Sequence, residues 1–202
     1  METVVVVWYV LNLTDSPLLV GLTATARLGF NFLALFAGAT ADMVSRRILM
    51  MIVQGVLASL AFLMIILIAT DYIEVWHIFV ITLAAGLARV FQMPTAQSLA
   101  VDSVPTDRIS NAVALISGAM NLALILGPIL GGLLFDLFGP EGAYVMVASV
   151  YVLSGTLTFF IGTTRATVAK KGESVFSMVG EGLRYVKSEP VSYTHLTLPT
   201  KD

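Results

Sequence analysis

The 202 residues are 57% hydrophobic and 12% charged, with a mean hydropathy of +0.91; a soluble domain carries about a quarter charged residues, so water is not the main solvent of this chain. The formal charge of -2 sums loops on both sides of a membrane, and no basic cluster marks a nucleic-acid partner. The absence of cysteine excludes disulfides, thiolate metal sites and cysteine nucleophiles.

The chain opens on Val4 to Leu13, which is apolar but only about half the length that crosses a hydrocarbon core. Met1-Glu2-Thr3 has neither the basic start nor the small-residue cleavage site of a signal peptide. Residues 1–13 therefore read as the remnant of a first transmembrane helix that begins upstream; a short re-entrant or interfacial segment is the other reading. Five full spans are expected within 14–162, at about 17–41, 48–70, 75–101, 112–135 and 143–162. Lipid offers backbone groups no partners, so each must be a helix. The fold class is an all-α integral membrane protein. Short connections, such as Asp71 to Glu74, make consecutive helices antiparallel neighbours in one bundle.

Lysine and arginine set the expected orientation. Arg46 and Arg47, Arg108, and then Arg165, Lys170 and Lys171 fall in alternate connections, while the intervening loops carry only acids: Asp15, Asp71 with Glu74, and Asp136 with Glu141. The positive-inside rule places the first set in the cytoplasm, giving six helices of a plasma-membrane protein with both ends of the unit inside. Residues 163–190 form a cytoplasmic linker in which Val175, Phe176, Val179, Leu183 and Val186 recur at the spacing of an amphipathic helix that ends near Pro190. That helix lies on the membrane surface or packs on the bundle. Residues 191–202 change to a Thr-rich, strand-like composition; they resemble a translated sequencing-adapter read-through, are set aside as non-native, and leave His195 without a role.

Two charged residues sit deep. Arg27 lies about ten residues into its span and Arg89 about fourteen into the opposite-running one, in the middle third of the bilayer. Each costs at least ~2.5–3.5 kcal/mol there, so such residues face a bundle interior or a wet cavity. Asn31 lies one turn from Arg27 and Gln92 one turn from Arg89, making narrow polar stripes suited to a substrate pathway. Structural cross-linking between helices is the competing role. No acid is expected at that depth, so the counter-charge falls to helices outside this sequence, to backbone and water, or to an anionic substrate.

Two patterns carry a resemblance. Gly38-Ala-Thr-Ala-Asp42-Met-Val-Ser-Arg46-Arg47 resembles the signature loop Gly-x-x-x-Asp-x-x-x-Arg-Arg/Lys of the major facilitator superfamily, departing at Ser45, where glycine is common. In the span 112–135, Ala119, Ala123, Gly127 and Gly131 recur every four residues as a smooth ridge for a second backbone, with Pro128 predicting a bend. Gly127-Pro128-Ile-Leu-Gly131-Gly132 resembles the Gly-Pro-x-x-Gly-Gly core found in the fifth helix of that family's exporters, although Ala114 and Ala123 stand where the fullest form has glycine. The stretches around Trp8 to Pro17 and Gly86 to Gln97 are similar to the bacterial branch that includes the enterobactin exporter.

The resemblance implies the N-terminal six-helix half of a twelve-helix transporter, with a truncated first helix and a second half outside this sequence. It implies export of a small amphipathic molecule, drug or siderophore through the bilayer by alternating access, coupled to protons and without cofactor or metal. It also implies that Gly38, Asp42, Arg46 and Arg47 belong to a conformational latch, which Asp102, on the same membrane side as Arg46, is expected to join. A membrane scaffold without transport activity is the alternative. An enzyme is less favoured, because no paired carboxylates, His-rich cluster or Ser-His arrangement lies at depth.

Overall fold

Long apolar runs bounded by Pro, Gly and acidic residues become helices joined by tight connections. The computed structural model describes residues 1–30, 33, 37 and 44–161, and among them every regular element is helical. Helix α1, Glu2–Thr14, ends where Asp15 takes a left-handed conformation (φ 47) and its N–H bonds to Leu11 O at 2.8 Å. Helix α2, Pro17–Leu28, starts at once, with Ser16 as N-cap and Pro17 at the first helical position, where a missing N–H costs nothing. Helices α3, Arg46–Ala69, and α4, Val75–Asp102, follow. A 3-10 turn, Thr106–Arg108, then leads into α5, Ile109–Phe160.

The sequence predicts two helices, 112–135 and 143–162, separated by a loop. Two helices are present there, and the connection between them is confined to Gly139 (φ 66, ψ -174). The Met1–Glu2 pair shows what happens there. A Cβ at Gly127 would lie 2.9 Å from Met1 N, and Tyr151 Oη donates to Glu2 at 2.6 Å. Residues 127 and 151 would be about 36 Å apart on a straight helix, too far for two adjacent residues to reach both. The chain therefore folds back at Gly139, and the halves of α5 lie side by side. Pro140 presets the backbone of the returning half, so one glycine does the work expected of a loop.

Helix α1 occupies the centre. Val5, Val6 and Val10 pack on Ala61, Met64 and Ile68 of α3, Ile78 and Ile81 of α4, and Ala143, Tyr144, Val147 and Ala148 beyond the fold-back. A polar layer joins α3 to the end of α5: buried Gln54 donates to Ser154 Oγ at 2.6 Å and accepts from Thr158 Oγ1 at 3.2 Å. The perimeter is apolar, with Leu18 72%, Leu115 75% and Phe160 76% exposed, the inverse of a soluble protein and the surface that acyl chains require. Helix α3, helix α4 and the segment Thr106–Phe160 are each long and apolar enough to cross a membrane.

Candidate functional site

Helix α4 brings Arg89, midway along its length, against α1 and the returning half of α5. Its guanidinium pairs with the carboxylate of Glu2 and donates to Tyr151 Oη, whose ring it also overhangs at 5.9 Å. Tyr151 in turn donates to Glu2 at 2.6 Å, closing a carboxylate, guanidinium and phenol triangle. The Glu2 side chain is 13% exposed and that of Arg89 28%. Met1, Glu2, Arg89, Val147 and Tyr151 help line a cavity of about 180 Å³ beside the triangle. Arg89 Nε is buried without a hydrogen-bond partner among the described residues, so the guanidinium keeps a donor that a bound polar group would satisfy.

This corrects the expectation that no acid lies at the depth of Arg89. Helix α1 ends and α4 begins on the same side of the bundle. Glu2 lies about 18 Å back along α1 from Thr14, and Arg89 about 21 Å along α4 from Val75, so the two arrive level. Reading residues 1–13 as a remnant hid the acid in its first turn; counting backward from Thr14 would have found it. With Glu2 as counter-charge, Arg89 needs no anionic substrate to balance it.

A second cluster lies at the C-terminal end of α4. Arg46 Nη1 pairs with Asp102 Oδ2 at 2.5 Å and donates to Ser98 O at 3.4 Å. Both side chains are largely covered, at 14% and 16% exposure. Arg46, Ser98, Val101, Val113 and Ser117 help line a cavity of about 360 Å³ there. Arg47 points elsewhere, donating to Phe159 O with its guanidinium 5.3 Å from the centre of the Phe159 ring. The two neighbouring arginines therefore serve different helix pairs.

The remaining expected residues divide. Gln92 is half-buried, one turn beyond Arg89. Asn31, Gly38 and Asp42 lie outside the described residues, as do the side chain of Arg27, the linker 163–190 and the tail 191–202. On the small-residue ridge, Gly127 and Gly131 take the start of α1: a Cβ on Gly131 would lie 3.0 Å from Met1 O. Ala119 and Ala123 are exposed, and a Cβ on Gly132 would meet open space. Among the described residues, the start of α1 meets the ridge at Gly127 and Gly131. The backbone stays helical through Pro128.

The profile of the major facilitator family described as transmembrane secretion effector matches residues 1–197. The chain belongs to that family. Among the curated relatives, the multidrug resistance protein MdtG of Proteus mirabilis is 31% identical over 100 residues, 48% of this chain and 24% of the relative. MdtG of Salmonella arizonae is 28% identical over 125 residues, 62% of this chain and 30% of the relative. The multi-drug resistance efflux pump PmrA homolog of Lactococcus lactis is 27% identical over 104 residues, 52% and 25% respectively. The matched chain thus spans about a quarter to a third of the length of these relatives. Family and fold together make the chain an all-α, multi-pass membrane protein of the major facilitator family.

Proposed function

We propose that this chain forms the N-terminal half of a secondary exporter that moves small amphipathic molecules or drugs by alternating access and is driven by protons. The observation that carries the reading is the Glu2–Arg89–Tyr151 triangle beside its cavity. A carboxylate held by a guanidinium inside a bundle is charged; once protonated, it no longer neutralises the arginine, and the contact between α1 and α4 weakens. Proton uptake at Glu2 and substrate engagement of Arg89 are then alternatives at one place. The names of the relatives, which speak of multidrug resistance and efflux, support export and a broad substrate class. From their places in the sequence we assign Arg27, Asn31 and Gln92 to the same substrate pathway, and its opposing wall to a second six-helix half.

The test is proton flux stimulated by a fluorescent amphipathic dye in vesicles holding the complete transporter. Glu2→Gln should abolish dye-driven proton movement while leaving dye binding within a few-fold, and Arg89→Gln should weaken both. Wild-type coupling in Glu2→Gln would remove Glu2 from the proton path. Loss of stability alone in Arg89→Gln, with transport rates unchanged, would reduce the triangle to a structural cross-link.

A further inference from the structure

A second feature lies away from the triangle, on the perimeter between the first half of α3 and the last turns of α5. A groove of about 450 Å³ is lined there by Met51, Gln54, Gly55, Val152, Phe159 and Phe160, among others. Its surroundings face outward: Ile52 is 55% exposed, Val56 42% and Phe160 76%. The Gln54 amide is engaged with Ser154 and Thr158, which leaves the groove mainly apolar. A Cβ placed on Gly55 meets nothing within 4 Å, so the missing side chain is what keeps the groove open.

Arg47 stands one turn before Met51 and against Phe159, both of which line the groove. No carboxylate pairs with it among the described residues, and its bond to Phe159 O uses one of five guanidinium donors. The remaining donors form the fork that binds phosphate oxygens. From Arg47 to Ala58, which also lines the groove, α3 advances about 16 Å, close to the ~15 Å of hydrocarbon in one leaflet. A cation at the headgroup level, followed by an apolar trough one leaflet deep, matches an anionic amphiphile lying along the helix.

We infer that this groove holds an acyl chain of an anionic phospholipid, with the headgroup phosphate on Arg47. The lipid would bridge α3 and the end of α5, the same pair that the Gln54 layer ties together. Basic pockets between membrane helices recognise anionic headgroups in this way.

Native mass spectrometry of the full chain in mild detergent, supplied with equal amounts of dioleoyl-phosphatidylglycerol and dioleoyl-phosphatidylcholine, tests the assignment. The unaltered chain should retain one phosphatidylglycerol in preference. Arg47→Gln should lower that preference about fivefold, and Arg47→Lys should keep most of it. Gly55→Leu, which fills open space and leaves Arg47 in place, should expel the lipid whatever its headgroup, with helicity unchanged by circular dichroism. Equal retention of the two lipids by the unaltered chain, or unaltered lipid binding in both Arg47→Gln and Gly55→Leu, would overturn the inference. So would lipid that binds only after residues 163–202 are deleted, since the groove would then belong to that segment.

Discussion

The two described ion pairs that bridge helices differ in kind from the pair Arg108–Asp107. At 3.9 Å, with side chains 73% and 75% exposed, that surface contact contributes little. Arg46 and Asp102, by contrast, are covered and join the start of α3 to the end of α4. Removing one partner strands the other charge in a poorly hydrated place, so a double-mutant cycle should not be additive. Arg46→Ala and Asp102→Ala should each lower the thermal midpoint in detergent, and the double variant should lose less than the sum, with a coupling of about 0.5–3 kcal/mol. The swap Arg46→Asp with Asp102→Arg should recover part of the loss; additive damage throughout would show that the two groups act independently. This pair was legible from sequence, because both residues stand at span ends on one side of the membrane. Glu2 was missed, because its depth follows only from counting back along α1 from Thr14, and no charge pattern signals that distance.

At the scale of helices, the connection after Phe135 is shorter than hydropathy suggests. Asp136, Gly139, Glu141 and Gly142 look like loop residues, and composition carries no term for a reversal compressed into one position. The decisive signal was the dipeptide Gly139-Pro140, a residue that accepts positive φ followed by one suited to a helix start. At φ 66 and ψ -174, Gly139 occupies a region essentially closed to residues with a Cβ. Gly139→Ala should therefore destabilise the bundle by about 1–3 kcal/mol, although a Cβ there meets no atom within 4 Å. Thermal unfolding should register the loss while Gly132→Ala, also in open space but in helical backbone, is neutral or slightly stabilising. Equal behaviour of the two variants would mean that the fold-back does not depend on that conformation. The small-residue ridge shows the opposite limit of sequence reading: its four-residue spacing does not say that, among the described residues, α1 is what meets Gly127 and Gly131.

For the whole molecule, helix count and handedness of insertion fix which ends share a compartment. Helix α3 leaves the side of Arg46, α4 returns to it, and the first half of α5 crosses again before turning at Gly139. An odd number of crossings separates Ser45 from Glu141, so they must face opposite sides if the bundle spans a bilayer. Because the chain has no cysteine, single replacements at these exposed positions provide clean reporters. In intact cells, a membrane-impermeant maleimide should label Glu141→Cys and reach Ser45→Cys only after permeabilisation, since arginines favour the cytoplasmic face. Exchange of the two patterns would invert the orientation but keep the fold. Labelling of both from one side would break the crossing count itself, and with it the placement of Glu2 and Arg89 at a shared depth, because that match relies on α1 ending where α4 begins.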